Sequence, residues 1–157
     1  MLFNSFEFLI FFPLVTLLYF IVPHSYRWFL LLAASCVFYM FFVPAYIFIL
    51  LFTIVIDYVA GLMIEKAGRR KKQFLVLSII ANIGVLAIFK YFNFFAINVN
   101  GLVDQSIVPL LEIILPIGLS FHTFQAMSYT IEVYRGHQKA EKHFGIYALY
   151  VMYYPQL

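Results

Sequence analysis

The stretch AYIFILLFTIVIDYVAGLMIEKAGRRKKQFLVLSIIANIGVLAIFKYFNFF, residues 45–95, holds two long apolar runs parted by residues 65–72, of which five are Lys or Arg. The first run, 45–64, carries one charge, Asp57; the second, 74–95, carries one, Lys90. A helix that crosses a bilayer needs about 20 mostly apolar residues, and both runs meet that length. Neither alternates apolar with polar residues, as the strands of a membrane barrel do over about 10 positions. Both are apolar on most faces of a helix, a pattern that suits lipid on the outside.

Working outward, residues 6–22 form a similar run closed by Pro23, and 26–42 another closed by Pro44. A fifth runs from about 109 to 134 and is interrupted by Pro116; a sixth opens at Phe144. The composition agrees. Apolar residues make up 65% of the 157 and charged residues 11%, against about a quarter charged in an ordinary globular chain. That leaves too little polar surface to cover a water-facing sphere. The predicted fold is all-α, a polytopic transmembrane helical bundle of five spans plus the start of a sixth. The last run, 144–157, is short for a span, so it is expected either to lie in the interface or to belong to a longer protein. The first run is expected to stay in the mature protein: no Lys or Arg precedes Arg27, and Glu7 sits where a signal peptide carries positive charge.

Charge placement orients the bundle. Cytoplasmic loops collect Lys and Arg. Residues 65–72 hold five of the ten and 135–142 hold three, while 95–108 hold none. Two basic loops separated by two spans fall on the same side, which puts them inside and the N-terminus in the extracytoplasmic space. A short basic run between two apolar segments reads as such a loop and not as a nucleic-acid face, where cations and aromatics are spread over a folded surface. The single cysteine, Cys36, permits no internal disulfide. The four histidines, His24, His122, His137 and His143, lack zinc-site spacing, so no metal is expected.

Polar residues inside the runs are where function is sought, because an ionisable group in hydrocarbon is costly unless paired. Asp57 is too deep to reach the headgroups, so a partner or a wet cavity is expected around it, with a structural role favoured. Lys90 lies near a helix end and can extend its stem to the interface, or pair within the bundle. The richest stretch is LPIGLSFHTFQAMSYTIEVYRG, residues 115–136. On a helix, Gly118, His122, Gln125, Tyr129 and Glu132 follow a 4-3-4-3 spacing and share one face. Three readings stand: a polar wall of a substrate tunnel, interhelical hydrogen bonding, or a general base at His122. GLSFH is not a serine nucleophile elbow, since the fifth position is His and no strand precedes it. Pro116 breaks the helix just before the stripe, where irregular backbone is tolerated against protein or a cavity. Glu112 lies one turn earlier. The tyrosines Tyr147, Tyr150, Tyr153 and Tyr154 are expected in part to form an interfacial belt.

MLFNSFEFLIFFPLV at the start, IDYVAGLMI, KYFNFF, the 115–136 motif and the final YYPQL together resemble the membrane-bound O-acyltransferase family, in particular its bacterial branch of alginate O-acetyltransferase membrane subunits. The resemblance covers essentially the whole chain. At position 122 the branch more usually has Tyr. The resemblance implies an enzyme that moves an acyl group, typically acetyl, from a cytoplasmic thioester such as acetyl-CoA to hydroxyls of an extracytoplasmic polysaccharide or cell-envelope polymer. It implies no bound cofactor, partner proteins of polysaccharide acetylation outside the membrane, and residence in the bacterial inner membrane as a multi-pass protein.

By the same resemblance, residues 1–157 form the N-terminal part of a single integral-membrane domain. The family's reactive histidine lies in the C-terminal half and matches no position here. His122, with Gln125, Tyr129 and Glu132, is then a candidate for a tunnel wall, and Asp57 and Lys90 for structural polar groups. The competing class is a non-enzymatic polytopic membrane protein, a transporter or an assembly subunit; paired broken helices and internal repeats would mark a transporter, and only one break and no repeat are visible.

Overall fold

A computed structural model describes residues 5–41, 44, 46–103, 108–109 and 118–154. Pro116, Glu112 and the closing residues 155–157 lie outside the described residues, so the predicted break at Pro116 does too. The described residues are helical with no strand among them: α1 (Phe6–Ile21), α2 (Arg27–Met40), α3 (Tyr46–Lys66), α4 (Lys71–Val103), α5 (Leu119–Arg135) and α6 (Phe144–Met152), with short 3-10 turns before α2 and α4.

Local chemistry sets the helix ends. Ser5 caps α1 by accepting from the Phe8 N–H at 3.2 Å, and Glu7 sits in the first turn, where the helix dipole favours an anion. At the other end the Arg27 Nε donates to the Val22 carbonyl at 3.2 Å while its guanidinium lies 4.8 Å from the centre of the Tyr19 ring. One arginine thus satisfies an orphan carbonyl and staples the turn between α1 and α2. α5 ends at Gly136, whose φ of 78° is left-handed. The Gly136 N–H bonds the Val133 carbonyl and the His137 N–H bonds the Glu132 carbonyl, each at 3.1 Å, which closes the last turn. His143 caps α6 through Nδ1, which accepts from the Ile146 N–H at 3.3 Å.

α3 is the centre. It packs against α4 and α5 on one side and α2 and α6 on the other, and α1 lies outside on α2. Its buried residues Ile47, Leu50, Ile54, Asp57, Gly61 and Ile64 follow a 3-4 spacing that defines the inward face. Among the described residues, two stretches are long and apolar enough to cross a membrane, Tyr46–Lys66 and Gly68–Val103. Large apolar side chains such as Leu9, Phe20, Phe48, Ile80 and Leu102 stand exposed on the outside of the helices, the surface expected of a membrane protein.

Two expectations shift. The fourth helix does not stop at Phe95 but runs 33 residues to Val103, about 50 Å at 1.5 Å per residue, well beyond the hydrocarbon core. Asn100 holds its far end by exchanging hydrogen bonds with Val108: the side-chain amide donates to the carbonyl at 2.8 Å and the Val108 N–H donates to Oδ1 at 2.9 Å. The tyrosines near the end are not mainly a belt. α6 is nine residues long and inserts against α2, α3 and α5, so Tyr147 and Tyr154 are core residues, 1% and 2% exposed, and Tyr150 alone of the four is well exposed. Gly145 permits the insertion: a Cβ there would stand 2.3 Å from the Trp28 ring of α2.

Candidate functional site

The inner face of α5 joins the two halves of the bundle through polar contacts. His122, 2% exposed, faces α2 and α6. Its Nδ1 lies 2.6 Å from the Val151 carbonyl, and its Nε2 is hydrogen-bonded to the Tyr39 hydroxyl. A carbonyl only accepts, so Nδ1 carries the hydrogen; in a neutral imidazole Nε2 then holds the lone pair and Tyr39 donates to it. Both ring nitrogens are therefore engaged, one to each neighbouring helix. With the Tyr39 hydroxyl on the lone pair, a substrate hydroxyl finds no acceptor at this ring until that bond opens.

Two turns further along, Tyr129 is also buried. Its hydroxyl accepts from the Glu141 N–H at 2.8 Å, its ring lies 4.6 Å from that of Tyr147, and a Cβ on Gly61 would sit 2.9 Å from Cε1 of the Tyr129 ring. Tyr58 of α3 completes this corner by donating to the Lys142 carbonyl at 2.6 Å. Tyrosine suits such positions, being apolar along the ring and polar at the tip.

The rest of the predicted stripe goes elsewhere. Gln125 turns toward α6, donates to the Tyr150 carbonyl at 2.8 Å, and lines an open groove with Phe121, Phe124, Ser128 and Tyr150. Glu132 sits at the end of α5 between Arg135 at 3.8 Å and the His137 Nδ1 at 3.0 Å. The spacing placed all four on one helix, but a helix face about 100° wide meets packing on one edge and open groove on the other. His122 and Tyr129 are enclosed, Gln125 is at the groove, and Glu132 is partly exposed near the end of α5.

Asp57 has partners, both on α4. The Ser78 hydroxyl donates to Oδ1, and the Asn82 side-chain nitrogen lies 2.8 Å from each carboxylate oxygen. All three are at most 1% exposed. They form the polar link between α3 and α4, with no cation among the described residues in the cluster. Lys90 is exposed on α4, with its ammonium 5.6 Å from the centre of the Tyr91 ring and no ion-pair partner among the described residues. No group of three His, Cys, Asp or Glu among the described residues is arranged to hold a metal ion.

Sequence reasoning passed over three of these residues. Ser78 and Asn82 stand four apart in an apolar run and so share a helix face, a signal that pairs them with a buried acid on a neighbouring helix. Tyr39 carries no such signal; one tyrosine among many in aromatic-rich helices looks like its neighbours until the partner helix is placed.

No family profile matches the chain, and no solved structure matches it. Curated proteins do. The chain is 37% identical over 164 residues to the probable alginate O-acetylase of Azotobacter vinelandii, covering all of the chain and 33% of that protein. It is 37% identical over 165 residues to the corresponding protein of Pseudomonas aeruginosa, covering all of the chain and 32% of that protein. It is 32% identical over 153 residues to the peptidoglycan O-acetyltransferase of Helicobacter pylori, covering 81% of the chain and 29% of that protein. The chain thus spans about a third of the length of the curated relatives it matches. Over its whole length the chain is thus similar to part of the alginate O-acetylases, in keeping with its apolar helices and with the motifs that resemble them.

Proposed function

We propose that this chain is part of an O-acetyltransferase that carries an acetyl group from a cytoplasmic thioester, acetyl-CoA or a similar donor, to hydroxyls of an extracytoplasmic polysaccharide or other cell-envelope polymer. The observation that carries the reading is the match of the whole chain to probable alginate O-acetylases, and of 81% of it to a peptidoglycan O-acetyltransferase. The protein would cross the inner membrane several times, with α1 to α5 as five spans, the N-terminus outside and the basic stretches 65–72 and 135–142 inside. The charge asymmetry of the loops supports that orientation. Partner proteins that handle the polymer outside the membrane would complete the system.

Chemically, a thioester needs no metal to react with a hydroxyl, but the hydroxyl needs a base to take its proton as it attacks. In this reading the base belongs to the two thirds of such proteins that the chain does not match, and residues 1–157 are the N-terminal part of one catalytic domain. His122 and Tyr129 hold α5 in place. Gln125, which lines the open groove, is the stripe residue we assign to a substrate path, and Glu132 remains a candidate for the same wall. The enclosure of both His122 nitrogens supports a positioning role there.

The test supplies radiolabelled acetyl-CoA and acceptor polymer to membranes holding the chain, alone or co-expressed with the remaining two thirds of a curated relative. Label is expected in the polymer only when both parts are present, and His122→Phe should leave it measurable. Transfer by the chain alone that vanishes with His122→Phe would make His122 the base. No transfer from a folded, co-purifying pair would overturn the acetyltransferase reading. For orientation, cysteines at Arg70 and Asn100 in a Cys36→Ala background should react oppositely with an impermeant thiol reagent; equal labelling from outside refutes the topology.

A further inference from the structure

The outer face of α4 is built for one kind of neighbour. Arg69, Lys72, Gln73, Val76, Leu77 and Ile80 line a shallow open groove. Their spacing keeps them on one helix face, polar at the start and apolar beyond. Val76, Leu77 and Ile80 are 43%, 63% and 62% exposed, so no other described helix covers this strip. From Lys72 to Ile80 the face runs about 12 Å along the axis at 1.5 Å per residue.

The two cations at its head are uncommitted. Lys71, between them in sequence, points elsewhere, with its ammonium 5.2 Å from the centre of the Tyr134 ring. Arg69 and Lys72 have no carboxylate partner among the described residues. Arginine presents a planar fork that suits phosphate, and lysine adds a mobile point charge. The stretch also marks the end of the hydrocarbon zone: the charges stop at Lys72, and the next charged residue along α4 is Lys90.

We propose that this face binds an anionic phospholipid, its phosphate held by Arg69 and Lys72 and one acyl chain lying along Val76, Leu77 and Ile80. A soluble anion would use only the head of the groove and leave the three exposed aliphatic side chains without a role. A zwitterionic lipid would use the strip but gain little from two unpaired cations. An anionic lipid matches both halves in the order they occur. The site is separate from the polar contacts of α5 and holds whether or not the acetyltransferase reading does.

The experiment is native mass spectrometry of the full chain released from detergent micelles containing equal amounts of dioleoylphosphatidylglycerol and dioleoylphosphatidylcholine, which share acyl chains and differ in charge. Retained phosphatidylglycerol should exceed phosphatidylcholine. In Arg69→Gln/Lys72→Gln the preference should fall, by about fivefold for each cation removed. Lys139→Gln/Lys142→Gln, which removes the same charge from the other basic stretch, should keep it, and so should Arg69→Lys. Leu77→Asn should reduce retention while keeping the preference for the anionic headgroup. Millimolar glycerol 3-phosphate should not displace the lipid. Equal retention of the two lipids, or equal losses in the two double variants, would refute a site on α4. Displacement by glycerol 3-phosphate would show a free-phosphate site instead and refute the lipid assignment. All variants change exposed side chains, and unchanged helical circular dichroism verifies the fold.

Discussion

Asp57 offers a sharp test of what holds this bundle together. In lipid, helices gain little from hiding apolar side chains from one another, so packing and polar contacts carry more of the association. Asp57 accepts from Ser78 and from Asn82, whose nitrogen is 2.8 Å from both carboxylate oxygens. Asp57→Leu removes every acceptor at once and leaves two buried donors facing a side chain that cannot bond. An unpaired buried donor costs about 1–3 kcal/mol. The full sum is not expected, because each donor has a second outlet. The Ser78 hydroxyl can turn to a carbonyl in the preceding turn, and the Asn82 nitrogen already lies 3.0 Å from the Ser78 carbonyl. The expected loss is therefore about 2 kcal/mol. Asp57→Asn keeps an acceptor oxygen and should lose less. Replacing all three, Asp57→Leu/Ser78→Ala/Asn82→Leu, removes the donors together with the acceptor and should recover most of what Asp57→Leu loses, since an apolar set of similar shape leaves nothing unsatisfied. Denaturation in mixed detergent micelles, followed by tryptophan fluorescence from Trp28, measures each difference. A triple variant no more stable than Asp57→Leu would refute the reasoning, and so would Asp57→Asn matching Asp57→Leu. Normal stability in all variants with acetyl transfer abolished would instead give Asp57 a chemical role.

Three further outcomes follow from the geometry. In a double-mutant cycle of Tyr39→Phe and His122→Leu, the coupling should be about 0.6 kcal/mol, the average for hydrogen bonds between membrane helices, and no more than about 1.7 kcal/mol; zero coupling in the same denaturation assay would deny the contact. Gly145→Ala drives a methyl to within 2.3 Å of the Trp28 ring and should destabilise the chain by about 1–3 kcal/mol, with Trp28→Leu restoring most of it in a thermal scan. Gly136→Ala forces a side chain into φ of 78° and should cost about 1 kcal/mol, read as earlier loss of amide-exchange protection in the last turn of α5.

What the sequence by itself determined was the solvent, the class of fold and the proteins the chain resembles. Apolar runs of about 20 residues, parted by basic stretches, specify helices in lipid because backbone groups there have no water to bond and must close on themselves. Asp57 was legible as a residue that needs a partner, since the cost of burying it is independent of what surrounds it. The 4-3-4-3 stripe correctly placed His122, Gln125, Tyr129 and Glu132 on one side of a helix. Only the tertiary structure decided which of them are enclosed. A run that is apolar all round carries no record of its inward face, so neither the central place of α3 nor the length of α4 beyond Phe95 could be read from pattern. The same holds for α6: nine residues are too few to span a bilayer, and only the space that Gly145 leaves for Trp28 turns them into core, bringing the Val151 carbonyl to His122. The hydrogen-bond partners that fix the tautomer of His122 come from α2 and α6, 83 and 29 residues away, and contacts at that separation are set by how helices pack, which local spacing does not encode.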